Sequence, residues 1–447
     1  MTLHRSIVVA SLLAISFTTD AANLITGPVT KNNDASCDIS VAPAATLLLP
    51  YFEVSDSRLG PTTLFTVTNV SHVEQIARVT LWTDLAYPVL SFDVYLTGYD
   101  VQSIDLHDVI VRGVISGERG TGMSVSPEGE HVQRNGWLQR ENCGAVPSRI
   151  DAAGLARLQA ALTEGQLPGC KDIGIPHENA TGYATIDVVR NCAPGRGPAD
   201  PRYWTADILF DNVLIGDYAY ADTMQNYAGT APMVHVRAIP DGGTLESRAS
   251  LPASRKPLQR TFYGRFQHPD RPLADGRQPL PSTFAARWIN GGPGDFETSL
   301  IVWRESVTGA PVDCGDYVEN FSSMAESVVF DEDENGEGAS VCNIHFCEFI
   351  QFPATSRSTL PDQNRFPQAT FTDMRAGWIY LNLDEYPSAT AHRRQAWVVS
   401  SMRAERRFSV SFDAAYLGNG CSPAAPITEY SEGGLGVLPG PAPDTTP

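Results

Sequence analysis

The sequence has very little lysine and no excess of positive charge. Lys31, Lys171 and Lys256 are the only lysines, and 51 acidic residues against 32 basic ones leave a formal net charge of −19. Nucleic acids and anionic membrane surfaces are bound through clusters of basic side chains. We therefore expect neither of them as a partner. The acidic excess is compatible with cation binding and with simple solubility.

Long apolar runs are missing after the first residues. A membrane-spanning helix needs about 20 consecutive apolar residues, so no transmembrane segment is predicted after residue 22. Before it, Met1–Arg5 supply a positive charge, Ser6–Phe17 form an apolar run, and small residues surround Ala21. This pattern is typical of a cleavable signal peptide. We predict a signal peptide over residues 1–22 and a secreted protein, extracellular or periplasmic.

Local catalytic motifs are also missing. There is no G-x-S-x-G elbow, H-E-x-x-H helix, Walker loop or dinucleotide fingerprint. Catalytic groups can also assemble from distant positions, so an enzyme is disfavoured but not excluded. Several aspartates on or beside predicted strands can serve polysaccharide hydrolysis or can simply face outward. These are Asp187, Asp207, Asp211, Asp217 and Asp222.

Cysteines are present in an even number, and all follow the predicted signal peptide. An even count in an exported protein favours disulfides, although the sequence does not fix their pairing. The alternative is a metal site at Cys342 and Cys347 around His345, but zinc sites usually have a second ligand pair. We predict disulfides within two groups of four, which are Cys37, Cys143, Cys170 and Cys192, then Cys314, Cys342, Cys347 and Cys421.

Strand patterns dominate the mature chain. Thr46–Val54, Thr62–Val70 and Gln75–Asp84 are rich in β-branched and aromatic residues, and polar turns separate them. Thr62–Val70 has a rough period of two, which is typical of a half-buried strand. No helices intervene here, as a parallel sheet would need. We predict a mainly β fold with two antiparallel immunoglobulin-like β-sandwich domains.

One helix is predicted. Ser148 and Asp151 form a capping box, Leu155 and Leu162 mark one face, and Gly165 ends the segment. This helix lies in a Gly- and Pro-rich excursion over about residues 113–176.

The domain boundaries follow from changes in composition. After the signal peptide we predict an N-terminal β-sandwich region over residues 23–240 and a Pro-, Gly- and Arg-rich connection over 241–282. A C-terminal β-sandwich domain over 283–425 and a disordered tail over 426–447 complete the chain.

A faint internal repeat supports two related domains. A shift of 221 residues places Thr62–Asp84 on Thr283–Glu305, and it aligns Trp82 with Trp303. We interpret each copy as a hairpin whose tryptophan fills a sandwich core.

The best local candidate for a binding site is an acidic loop. Asp331, Asp333 and Asn335 occupy alternate positions before Gly336, as in the first half of a calcium-binding loop. The usual glutamate at the twelfth position is replaced by Cys342, so Glu337 or a distant carboxylate would have to complete the shell. The sequence predicts either a Ca²⁺ site at Asp331, Asp333, Asn335 and Glu337 or a solvated acidic loop.

Four segments resemble a known group of proteins. Leu48–Val54, Thr63–Asn69, Tyr95–Asp100 and Thr261–Phe266 are similar to segments of a group of uncharacterised secreted bacterial β-rich proteins, for which no activity is established. The resemblance implies no functional residues. Our leading hypothesis is a secreted or envelope-associated, non-catalytic β-sandwich protein for binding or surface structure, with an envelope or extracellular partner such as a glycan. The alternative is a secreted polysaccharide hydrolase that uses paired carboxylates.

Overall fold

In the computed structural model, the described residues are 39, 41–115, 149–167, 175–192, 196–198, 200–238, 277–305, 324–333, 336–340, 354–360, 375–385, 395–405 and 407–417. Within them the protein is mainly β, with four antiparallel sheets and few helices. The predicted fold class is therefore confirmed at this level. The finer immunoglobulin-like topology stays a prediction.

The first half of the protein, residues 39–238, contains two of the sheets. Its strands are β1 Thr46–Val54, β2 Pro61–Asn69, β3 Gln75–Thr83, β4 Pro88–Leu96, β5 Val101–Asp105, β6 Ala180–Val189, β7 Leu214–Asp222, β8 Tyr227–Pro232 and β9 Val234–Val236. The middle sheet has the order β4-β3-β6-β1-β9, and the outer sheet has the order β5-β2-β7-β8. The helices are α1 Leu106–Ile110, α2 Ala152–Thr163 and one π-helical turn, Tyr203–Asp207.

The second half, residues 277–417, contains the other two sheets. Its strands are β10 Thr283–Ile289, β11 Glu297–Arg304, β12 Met324–Asp331, β13 Gly336–Ser340, β14 Thr355–Thr359, β15 Ala376–Glu385, β16 Ala396–Ala404, β17 Phe408–Asp413 and β18 Ala415–Tyr416. The junction sheet has the order β14-β11-β16-β17, and the far sheet has the order β13-β12-β15-β10-β18.

Burial patterns explain how the sheets are stacked. β2 alternates between buried and more exposed positions, so the period of two predicted for it is confirmed. β3 and β6 are buried at every position, and β1 at every position except Glu53. A strand buried at consecutive positions is covered on both faces. The middle sheet therefore packs against the outer sheet on one face and is covered on the other face as well.

The core between the middle and outer sheets comes from the alternate residues of facing strands. Leu47 and Phe52 of β1 join Phe65 and Val67 of β2 in one buried cluster. Burial of such a side chain contributes about 1.5–3 kcal/mol. This core holds the first half together without residues of the second half.

Aromatic side chains connect the opposite face of the middle sheet to the second half. Trp82 stacks on Tyr183 with ring centroids 5.7 Å apart, and the Trp303 ring meets Tyr183 edge-on at 5.9 Å. The Thr355 hydroxyl donates to the carbonyl oxygen of Pro50 at 2.5 Å. β1 and β6 thus lie against β11 and β14, and the two halves share a continuous buried cluster.

Strands β8 and β17 meet at the edges of their sheets through side chains. The Ser409 hydroxyl accepts from the N–H of Ala228 at 3.0 Å and donates to the same residue's carbonyl oxygen. The two strands come so close at Gly229 that a Cβ atom at this position would collide with the Ser411 hydroxyl. At this point a serine side chain, and not a pair of backbone hydrogen bonds, connects β17 to β8.

The internal repeat corresponds to a repeat in strand order. β4-β3-β6-β1 matches β14-β11-β16-β17, and β5-β2-β7 matches β15-β10-β18. Trp82 pairs with Tyr183, and Trp303 pairs with Trp397 at the equivalent position. The predicted hairpins are wrong, since β2 and β3 lie in different sheets, as do β10 and β11. Each pair of strands crosses from one sheet to the other because the first strand hydrogen-bonds to later strands instead.

The predicted helix exists, with a different N-cap. α2 begins at Ala152, and the Asp151 carboxylate caps it by accepting from the N–H of Gly154 at 2.6 Å. Ser148, the predicted cap, lies outside the described residues. Asp151 takes the role because a carboxylate is as good an N-cap as a hydroxyl.

The end of the predicted connection is part of the folded structure. Arg277, Gln278 and Leu280 are buried, and Arg277 forms a β-bridge with Ala238. The predicted signal peptide, the C-terminal tail and most of the connection lie outside the described residues. In the part of the chain that is described, no helix has the length and apolar character needed to cross a membrane.

Candidate functional site

The predicted calcium loop lies at the tip of the β12–β13 hairpin. Phe330 pairs with Gly336, and the Asp331 carboxylate accepts from the N–H of Asp333 at 2.9 Å. Asn335 and the side chain of Glu337 lie outside the described residues. Among the residues that are described, no three His, Cys, Asp or Glu side chains are grouped to hold a metal ion. Calcium binding stays a prediction.

The aspartates considered for hydrolysis are spread over the first half. Asp187 and Asp207 are fully buried, whereas Asp217 is exposed and accepts from the Thr66 hydroxyl at 2.9 Å. The Asp222 carboxylate accepts from backbone N–H groups of the β7–β8 turn. Asp211 is half-buried. The hydrolase hypothesis stays untested.

Cys192 is the one cysteine within the described residues. It is buried and disulfide-bonded. The other seven, Cys37, Cys143, Cys170, Cys314, Cys342, Cys347 and Cys421, lie outside the described residues, so the two predicted disulfide groups stay a prediction.

A buried arginine network occupies one end of the middle sheet. Arg78 of β3 donates from Nε to Asp93 Oδ1 at 2.7 Å and from Nη2 to Asp93 Oδ2 at 3.1 Å. Its Nη1 lies 3.4 Å from Asp207 Oδ2, and Arg196 reaches Asp207 Oδ1 at 2.8 Å. Burial alone would lower the pKa of Arg78, but the hydrogen bond and charge of Asp93 raise it overall. Arg78 therefore keeps its positive charge although its side chain is fully buried.

A second buried arginine extends the same network. Arg277 Nη1 donates to Asp187 Oδ1 and to the Thr46 hydroxyl, both at 3.1 Å. The Tyr203 hydroxyl donates to Asp187 Oδ2. The guanidinium carbon of Arg277 lies 5.6 Å from the centroid of the Trp204 ring. Buried charges that are paired and hydrogen-bonded in this way hold a fold in one arrangement and offer no surface to a ligand.

A third polar cluster joins the two halves. Glu53 Oε2 accepts from the hydroxyls of Tyr51 at 3.0 Å and Tyr220 at 2.9 Å, and Oε1 accepts from Asn179 at 2.7 Å. Arg357 of the second half donates to the Tyr220 hydroxyl at 3.0 Å. Burial raises the pKa of both tyrosines above the usual range, so they stay neutral donors. Glu53 already accepts from three donors, and the cluster holds the two halves together through the Arg357–Tyr220 hydrogen bond.

A pocket between the halves has a different character. The cavity measures about 260 Å³. The first half contributes Ile39, Val41 and Met233, and the second half contributes Trp397 and Tyr416. Val41 is 71% exposed, so the cavity opens to solvent on that side. We call this cavity the junction pocket. A concave site with mostly apolar walls and few polar groups is typical of small-molecule binding.

Asp413 is the acidic residue that lines the junction pocket. Its Oδ1 accepts from the Trp397 indole N–H at 2.9 Å. Burial raises the pKa of the Asp413 carboxyl, and the Trp397 hydrogen bond opposes that shift only in part. A carboxylate in this position is poorly solvated, because desolvation disfavours the charged form.

Comparisons of the chain with protein-family models, with curated proteins and with solved structures found no match. The resemblance described above stays a prediction. The function is therefore argued from the geometry.

Sequence reasoning missed the junction pocket. Its lining comes from four separated places in the sequence: Ile39 and Val41, residues 232–235, Trp397, and residues 413–416. Asp413 ends an ordinary strand pattern, and no motif distinguishes it from the other acidic residues. The contact between β8 and β17 brings these segments together. A side-chain contact between strands that are far apart in the sequence leaves no local pattern.

Proposed function

We propose that the protein is an exported, non-catalytic binding protein whose ligand site is the junction pocket. The observation that carries the proposal is an open, largely apolar cavity of about 260 Å³ with one carboxylate in its wall. Pockets for drug-sized ligands measure roughly 300–1,000 Å³. A ligand for this pocket is therefore small, with an apolar body.

The placement of the charged groups supports a binding role over a catalytic one. Asp93, Asp187 and Asp207 are held by the buried arginines Arg78 and Arg277, and Glu53 is surrounded by hydroxyl and amide donors. A carboxylate that already accepts from several donors is poorly placed to exchange protons with a substrate. The most prominent acidic groups in the described part of the chain thus serve the fold.

Export is supported by two features. The first 22 residues have the pattern of a signal peptide, and Cys192 is disulfide-bonded. Disulfides persist in oxidising compartments outside the cytosol.

The proposal is tested by blocking the pocket. Saturation-transfer NMR with benzyl alcohol, a small ligand with an apolar ring, is expected to give a signal with the native protein. Ala415, an exposed residue of β18, lines the cavity. The substitution Ala415→Trp fills the pocket without enlarging a core side chain, and we expect it to abolish the signal.

The matched control is Ala156→Trp, at an exposed position of α2 outside the pocket. It is expected to leave the signal unchanged. Loss of the signal in both variants, or its persistence in Ala415→Trp, would show that the ligand does not occupy the junction pocket. No signal with the native protein would contradict the proposed function.

A further inference from the structure

The charge in the wall of the junction pocket is negative. Asp413 supplies it, and the other titratable side chains in the wall are His235 and Tyr416. His235 is already bonded: its Nδ1 donates to the carbonyl oxygen of Ala42 at 2.7 Å, and its Nε2 accepts from the N–H of Gly216 at 3.4 Å. The imidazole is thus engaged with the backbone, and Asp413 sets the electrostatic character of the pocket.

Two aromatic rings stand beside this carboxylate. The centroids of Trp397 and Tyr416 are 6.3 Å apart, and their planes are tilted by 43°. Trp397 is bonded to Asp413 through its indole N–H. The faces of tryptophan and tyrosine attract cations through their π electrons, and sets of such rings recognise substituted ammonium groups.

The remaining wall is apolar. Ile39, Val41 and Met233 contribute aliphatic and thioether groups from the first half. They can contact the hydrocarbon part of a ligand and cannot solvate a free charge. A ligand that satisfies the whole wall therefore combines hydrocarbon groups with one positive charge.

We propose that the junction pocket binds a small organic ammonium ion, held by the Asp413 carboxylate and the rings of Trp397 and Tyr416. This proposal rests on the proposed function, because it names the ligand class of the same pocket. The formal net charge of −19 favours the approach of cations. A bound cation also replaces the water that Asp413 has lost through burial.

The test compares a cation with its uncharged analogue. Choline and 3,3-dimethylbutan-1-ol have nearly the same shape, because a carbon atom of the alcohol replaces the ammonium nitrogen of choline. Isothermal titration of the native protein is expected to give a Kd for choline at least about tenfold lower than for the alcohol, in line with a cation–π contribution and an opposite charge.

Two variants identify the groups responsible. Asp413→Asn keeps the acceptor for the Trp397 indole and removes the charge, so choline affinity is expected to fall about tenfold while alcohol affinity stays the same. Tyr416→Leu is expected to weaken choline binding about threefold. Asp217→Asn, at an exposed carboxylate of β7, is the matched control for the change in net charge and is expected to bind choline like the native protein.

Three results would overturn the ammonium proposal. Equal affinity of the native protein for both compounds would leave the pocket as an uncharged ligand site, and the proposed function would stand. Equal loss in Asp413→Asn and Asp217→Asn would show that only the overall charge matters. No choline binding would end this proposal, and the benzyl alcohol experiment would decide the proposed function separately.

Discussion

The two halves of the protein carry different side chains on the same row of their matching sheets. The row across the middle sheet is charged, and the row across the junction sheet consists of hydroxyl groups. The first is Asp93, Arg78, Asp187 and Thr46, and the second is Thr359, Ser299, Ser401 and Ser411. Equivalent backbone positions thus hold side chains of very different solvation cost.

The difference follows from what covers each row. The charged row is covered mainly by its own half, through Tyr203 and the backbone of Arg196, and Arg277 of the second half adds one further contact. The hydroxyl row is covered by the other half, since the Tyr227 hydroxyl bonds to both Ser401 and Ser411. A charged network needs many fixed partners, whereas hydroxyl groups can rotate to suit a neighbour. Hydroxyls therefore suit a surface on which another unit docks.

A buried tryptophan occupies the same position in both halves, Trp82 in β3 and Trp303 in β11, and its removal gives the largest expected effect. Trp82→Ala and Trp303→Ala each remove a fully packed ring, and we expect each to lower the free energy of unfolding by about 4 kcal/mol. Urea unfolding with constant m-values measures this. Phe408→Ala, at a residue 66% exposed, is the control and should change stability by less than about 0.5 kcal/mol. A neutral result at either tryptophan would contradict the repeat in the packing.

The charged and hydroxyl rows should respond differently to equivalent substitutions. Arg78→Met leaves Asp93 and Asp207 buried without their shared arginine, and we expect a loss of about 3 kcal/mol in the free energy of unfolding. Ser299→Ala at the matching position removes one hydroxyl bond to Thr359, for which about 1 kcal/mol or less is expected. Equal losses in the two variants, measured by urea unfolding, would contradict this comparison.

The smallest change in stability is expected at a position where the first half has an aliphatic residue, Leu48, and the second half has an acidic one, Asp413. Leu48 pairs with Thr185, and Asp413 pairs with Val399 in the equivalent row. Burial raises the pKa of Asp413, so its contribution to stability is fully present below about pH 3.9, the ordinary value, and is lost as pH rises through the folded-state pKa. Asp413→Asn should therefore be more stable than the native protein at pH 7.

Unfolding from pH 3 to pH 8 checks this expectation. The advantage of Asp413→Asn should shrink towards zero at the acid end. Tyr218 interacts electrostatically with this carboxyl, and burial raises the pKa of Tyr218, so its hydroxyl stays neutral over this pH range. An advantage that grows on acidification would refute the assignment.

Strand periodicity could be predicted well from the sequence. The alternation in Thr62–Val70 and the apolar run Thr46–Val54 both correspond to strands, and the β-rich class followed from them. The pairing of the strands could not be predicted. β2 and β3 are adjacent in sequence and lie in different sheets, because β2 bonds to β7, more than a hundred residues away. Such long-range pairing depends on the packing of the whole half.

The candidate site was less accessible to sequence reasoning than the fold. The calcium pattern at Asp331 and Asp333 is local and therefore easy to see. Asp413 gains its character from its hydrogen bond with the Trp397 indole and from its burial, neither of which a local sequence pattern shows. Whether a single carboxylate is buried depends on the tertiary structure. The local pattern of the acidic loop was therefore visible in the sequence, and Asp413 was not.

The contact between Ser409 and Ala228 has a consequence for how the protein behaves at high concentration. The edge strand of an open sheet presents unpaired N–H and C=O groups, which another copy can use to extend the sheet. One serine hydroxyl bonds to both backbone groups of Ala228 and so takes the place of a neighbouring strand. At this point the second half protects the edge strand of the first against edge-to-edge aggregation. A single hydroxyl group does this, where another protein would use a paired strand.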